Sequence, residues 1–160
     1  MITQGFQTNS KQTDSDKDAM VQAVRQASKE YWAVWTNTYN NETFDKFMKY
    51  VDIKSDQMWQ SEPVATIHNT DIIYKQADAN KVAASMLENR ISTPVNVQKA
   101  HYSVLSDNKV LEVLEANVSV IMKDSTVIGP LSWVASLIWA NIDGDWKIQF
   151  LHSSYQPQSE

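Results

Sequence analysis

The sequence predicts a single α+β domain. Three N-terminal helices pack on a strongly curved, mostly antiparallel sheet, and the sheet forms a cone with an interior pocket. Three observations lead there. Apolar residues recur at helical spacing in three separate stretches between Asp16 and Arg90. Four long β-rich runs follow Pro94 almost to the end of the chain. Short turn sequences join those runs, so consecutive strands must be antiparallel.

The elements are read in order. Residues 1–15 are polar and predict a mobile tail, leaving 16–157 as the domain. From Asp16 to about Tyr39, Met20, Val24, Ala27, Tyr31 and Trp35 fall on one helical stripe. Asp14, Ser15 and Asp16 offer N-caps. Asn40-Asn41 breaks this helix, and a short second one buries Phe44, Phe47, Met48 and Val51. A third is predicted over Ala77–Arg90, ending before Thr93-Pro94 because a residue preceding proline avoids helical geometry. Between helices two and three, Met58–Tyr74 reads as short extended pieces broken at Glu62-Pro63 and His68-Asn69.

The strands are Val95–Leu105, Val110–Met122, Leu131–Ile142 and Trp146–Tyr155. Ser106-Asp107-Asn108 and Asp143-Gly144 supply turn chemistry. Alternation places Trp133, Ala135, Leu137 and Trp139 on one face, and Trp146, Ile148, Phe150 and His152 on one inward face. The opposite face is also partly apolar at Val134, Ile138 and Ile142, which predicts a homodimer packed sheet against sheet.

Composition narrows the function classes. The net charge is −5 and no Lys/Arg run exceeds two residues, so general nucleic-acid binding is disfavoured. Cysteine is absent, which removes disulfides, thiolate nucleophiles and cysteine-based zinc sites. The three histidines share no ligand spacing, and three glycines leave no phosphate-binding loop. The reading is therefore no metal, no cofactor, no nucleic acid and no membrane. With no basic-then-apolar leader visible, the expected location is cytoplasmic; a leader already removed would leave the same sequence.

This element order resembles the SnoaL-like branch of the nuclear transport factor 2-like superfamily. The local match is Asp143-Gly144-Asp145-Trp146-Lys147-Ile148 followed by His152-Ser153-Ser154, similar to the Gly-x-Trp-x-Ile strand that commonly ends SnoaL-like domains. It spans roughly residues 16–156. Within that superfamily, the ketosteroid isomerase pattern implies Tyr31 as a phenol donor on the first helix. It implies Glu62, in Ser61-Glu62-Pro63, as a carboxylate base. Ser132 stands where that mechanism places a protonated acid, and a hydroxyl is a weaker donor.

The resulting expectation is a small-molecule-binding domain for a hydrophobic ligand in the cone. Trp35, Ser132, Trp139, Trp146, Phe150 and His152 are its predicted lining. One alternative is a cofactor-independent isomerase, cyclase or dehydratase using Glu62 and Tyr31. Another is a structural homodimerisation domain.

Overall fold

Thirteen residues into the chain, Thr13 starts the first helix. Its hydroxyl oxygen accepts from the Asp16 backbone N–H, while the Asp16 carboxylate accepts from the Thr13 N–H. This reciprocal capping box satisfies two otherwise orphaned donors. The structure is a computed structural model and describes residues 12–37, 40–52, 58–61, 73–75 and 89–155.

Helix α1 runs Asp14–Thr36, so it begins two residues before the expected domain boundary and ends before Tyr39. The cap is Thr13 rather than any residue of 14–16, because Asp16 is needed three places later in the box. The buried stripe is Val24, Ser28, Tyr31 and Trp32, flanked by Met20, Ala27 and Trp35. Helix α2 spans Asn41–Lys49, with the Asn40 side-chain oxygen accepting from Thr43 N–H at 2.8 Å. Phe47 is buried, and so is Val51 just beyond the helix. The predicted third helix lies outside the described residues except at its end, where Arg90 belongs to a strand.

The strands are β1 (Met58–Ser61), β2 (Ile73–Lys75), β3 (Arg90–Ser92), β4 (Val95–Ser106), β5 (Lys109–Met122), β6 (Val127–Ile142) and β7 (Asp145–Tyr155). Their order in the sheet is β2-β1-β7-β6-β5-β3, and β4 pairs with β5 on the β3 side. All pairs are antiparallel except β1 with β7. N-terminal helices lie against this strongly curved sheet in an α+β cone. Asp143 (φ 54°) and Gly144 (φ 94°) form the two-residue turn between β6 and β7, with both central residues at positive φ as a type I′ hairpin requires.

Cross-strand register defines the inner face. Val97–Ala116–Trp133, Ala100–Leu114–Ala135 and Tyr102–Glu112–Leu137 form rows across β4, β5 and β6. Helix α1 packs over this face, chiefly along β4 at the sheet edge. The predicted inner set on β6 is found there, with Trp133, Ala135, Leu137 and Trp139 all buried. Strand β6 starts four residues earlier than expected. A proline normally ends a strand interior, but here Gly129-Pro130 coincides with a bulge between Val118 and Val120 of the neighbouring strand.

The alternation predicted for β7 fails at one point. Ile138 pairs with Phe150 and Trp139 with Ile148, which leaves Gln149 as an extra residue. A bulge of one residue reverses every side chain beyond it. Ile148 is therefore inward as predicted, but Leu151, Ser153 and Tyr155 take over the inner face. Phe150 and His152 move to the outer face, in register with Ile138 and Ser136.

Candidate functional site

One turn after another of α1 presents the same side to β4: Arg25, Ser28, Lys29, Trp32, Ala33 and Thr36. With Val95, Val97 and Tyr102 of β4 these enclose a groove of about 460 Å³. That volume falls within the range of small-molecule sites. Its walls are apolar at Trp32, Ala33, Val95 and Val97, and cationic at Arg25 and Lys29. The Arg25 guanidinium sits 5.3 Å from the Tyr102 ring centroid, a cation–π contact that fixes the ring.

Glu112 closes the floor of the groove at one end. It is the charged residue among Val110, Leu114, Ala116, Val118 and Val120 on the inner face of β5, and it is fully buried. Three side chains on three elements donate to it. Ser28 of α1 and Tyr102 of β4 donate to Oε1 at 2.6 and 3.0 Å; the Trp139 indole of β6 donates to Oε2 at 2.7 Å. Burial pushes the Glu112 carboxyl above its ordinary range, and the three donors pull against that shift without cancelling it. Burial, then the Glu112 charge, raises the Tyr102 phenol. Tyr102 therefore stays protonated, and Ser28 and Tyr102 turn their oxygen lone pairs away from the carboxylate.

Two further polar atoms matter. Trp32 and Trp133 are buried, their rings meet edge to face at 5.2 Å, and neither indole N–H has an acceptor among the described residues.

The predicted site residues separate into three places. Tyr31 is in the core: its ring centroid lies 4.5–6.2 Å from those of Trp32, Trp35, Phe47, Tyr50 and Trp139. Trp35 flanks that cluster, and Trp146 packs against the core from the start of β7; neither lines the groove. Trp139 lies beneath the floor and holds Glu112. Ser132 is exposed on the outer face opposite Asn117, because its neighbour Trp133 takes the inward position. Phe150 and His152 are on that same outer face through the bulge at Gln149. The structure thus brings Tyr31, Trp35 and Trp139 together and keeps Ser132, Phe150 and His152 away from them. Glu62 and His68 lie outside the described residues; the preceding Ser61 pairs in parallel with Ser153. His101 is exposed.

Glu112 escaped the sequence reading, although a signal existed. Alternation along β5 isolates one acid on an otherwise apolar face. The opposite phase of the strand carries the exposed Glu115 and Asn117. Among the described residues no helix is long and apolar enough to cross a membrane. No group of three or more His, Cys, Asp or Glu among them could hold a metal ion.

No family model matches the sequence, and neither does any curated protein. Solved structures do match. A protein of the nuclear transport factor 2-like family from Streptomyces avermitilis, assigned as a dehydratase, is 14% identical with a TM-score of 0.68, over 88% of this chain and 99% of the other. A hexachlorocyclohexane dehydrochlorinase from Novosphingobium barchaimii is 15% identical with a TM-score of 0.65, over 91% and 92%. The association domain of a C. elegans kinase, CaMKII, is 10% identical with a TM-score of 0.59, over 89% and 99%. At these identities the shared property is the fold. The chain has the nuclear transport factor 2-like fold.

Proposed function

We propose that this chain binds a small, largely apolar molecule in the groove between α1 and β4. The observation that carries the reading is the groove itself. Its volume is about 460 Å³, its walls are Trp32, Val95 and Val97, and its floor is the buried Glu112 with its hydroxyl donors. Because the Ser28 and Tyr102 protons are committed to Glu112, the floor presents oxygen lone pairs. A ligand with a hydrogen-bond donor at its inner end fits that polarity.

The test is titration with 8-anilinonaphthalene-1-sulfonate, an apolar anion with an N–H donor. The expected result is one saturable site in the wild type, with affinity at least tenfold weaker in Ala33→Trp, which fills the groove from a surface position of α1. Equal affinity in the two proteins overturns the reading.

A second reading is catalytic, and the dehydratase and dehydrochlorinase among the structural neighbours favour it. On this reading Glu62 acts as base in an isomerase, cyclase or dehydratase reaction. Incubation with hexachlorocyclohexane supports it if chloride is released and Glu62→Gln abolishes the release. No release removes dehydrochlorination from consideration. The outer face of the sheet, with Val134 38% exposed and Ile138 and Phe150 half-buried, is the proposed homodimer surface.

A further inference from the structure

The groove has a direction. At one end the Ser28 and Tyr102 hydroxyls meet on Glu112, and the Arg25 guanidinium lies 5.3 Å from the Tyr102 ring centroid. At the other end the Val95 N–H donates to Thr36 Oγ1 at 3.3 Å. Helix α1 advances about 16 Å between Arg25 and Thr36. Over that length its contribution to the lining passes from cationic, at Arg25 and Lys29, to apolar, at Trp32 and Ala33. Val95 and Val97 face the apolar part from β4.

The two cations have no anion of their own. Lys17, Lys46 and Lys99 each reach a carboxylate, whereas Arg25 and Lys29 form no ion pair among the described residues. Their neighbours three and four residues away are Val21, Gln22, Gln26, Ser28, Trp32 and Ala33, none of them acidic. Arg25 and Lys29 are instead four residues from each other, a like-charge spacing that disfavours a helix. Glu112, the acid on the lining, is buried and takes its hydrogen bonds from Ser28, Tyr102 and Trp139, not from either cation. In a chain of net charge −5, this groove carries two cations against one acid. Both cationic residues are exposed, so an anion can reach them from solvent.

We propose that the groove takes an amphipathic monocarboxylate, whose carboxylate accepts from Arg25 and Lys29 at the Tyr102 end and whose apolar body lies along Trp32, Ala33, Val95 and Val97. The inference rests on the groove being the binding site and adds the charge and the orientation of its ligand. The planar fork of an arginine matches the two oxygens of a carboxylate, and the lysine adds a second cation on a flexible stem. A dianion fits less well, because Glu112 shares that end of the groove.

The test uses 2-naphthoate, its neutral near-isostere 2-acetylnaphthalene, and 2-naphthyl phosphate, which carries nearly two charges at neutral pH. Calorimetry at low ionic strength, where exposed charges are least screened, gives affinities for the wild type, Arg25→Gln, Lys29→Gln and Lys99→Gln. Naphthoate is expected to bind the wild type about tenfold more tightly than the ketone. Arg25→Gln is expected to bring the two within about twofold, and Lys29→Gln to reduce the preference about threefold. Lys99 pairs with Glu115 away from the groove, so Lys99→Gln should keep the preference while making the same change in net charge. An equal loss in all three variants overturns the inference, since it would reflect net charge alone. Tighter binding of the phosphate than of naphthoate overturns the assignment to a carboxylate. Equal affinity of the wild type for naphthoate and ketone, with both weakened by Ala33→Trp, overturns the inference and leaves the groove intact. Absence of binding by all three probes overturns the inference and the groove reading together.

Discussion

Replacing Glu112 by glutamine and by leucine separates its charge from its hydrogen bonds. Glutamine keeps the shape. Its oxygen can accept from Trp139 Nε1–H, and its amide can donate to the Ser28 and Tyr102 oxygens once those hydroxyls rotate. Leucine keeps the volume and removes every acceptor. Ser28 can then turn to a helix carbonyl, and Tyr102 is half-exposed and can reach water. Trp139 is fully buried and has neither escape. One orphaned buried N–H costs about 1–3 kcal/mol. Glu112→Leu should thus be about 2 kcal/mol less stable than Glu112→Gln, a melting temperature lower by about 4–8 °C for a domain of this size. Urea unfolding followed by circular dichroism measures the difference. If the two variants unfold at the same urea concentration, the buried Trp139 N–H does not depend on an acceptor at position 112.

The remaining predictions concern pH, backbone and assembly. Below the ordinary glutamate value of 4.5 both states of Glu112 are protonated; between that value and its raised folded value, only the folded state keeps the proton. Wild-type stability relative to Glu112→Gln should therefore fall as pH rises through that window, with a slope of about 1.4 kcal/mol per pH, whereas a relative gain with rising pH would mean the donors outweigh burial. Gly129→Ala should cost about 1–3 kcal/mol in urea unfolding, because Gly129 has φ +111° and an added Cβ would lie 2.7 Å from the Val118 carbonyl oxygen; an unchanged midpoint contradicts this. Light scattering at micromolar concentration should give a dimer mass that Val134→Asp reduces to a monomer mass, and a monomeric wild type rules out the outer face as a dimer surface.

The parts of the fold that were legible are those where one periodicity governs. Strands β4, β5 and β7 were readable within a residue or so. Period-two alternation fixed the inner face of β6, and Asp143-Gly144 can hold two consecutive positive φ values at little cost. The bulge at Gln149 was not legible, since nothing in Lys147-Ile148-Gln149-Phe150 distinguishes an extra residue from a continuing strand. That single residue sent Phe150 and His152 to the wrong face. The start of β6 was hidden because Pro130 reads as a strand end unless the neighbouring bulge is known. Tyr31 was placed at a site by family resemblance, whereas its spacing from Val24, Ala27 and Trp35 already described a core stripe. Glu112 was within reach of the same reasoning, as the lone acid on an apolar strand face. Its three donors were not, because Ser28, Tyr102 and Trp139 lie on different elements and meet only in the folded chain.

The central claim is that the groove between α1 and β4 is the binding site. The most direct measurement is a nitrogen-15 amide map with 8-anilinonaphthalene-1-sulfonate at saturating concentration. The shifted amides are expected to concentrate at residues 25–36 of α1 and 95–102 of β4, together with Asn37 and Glu112. Shifts concentrated instead around Val134, Ile138 and Phe150 on the outer face of the sheet would contradict it.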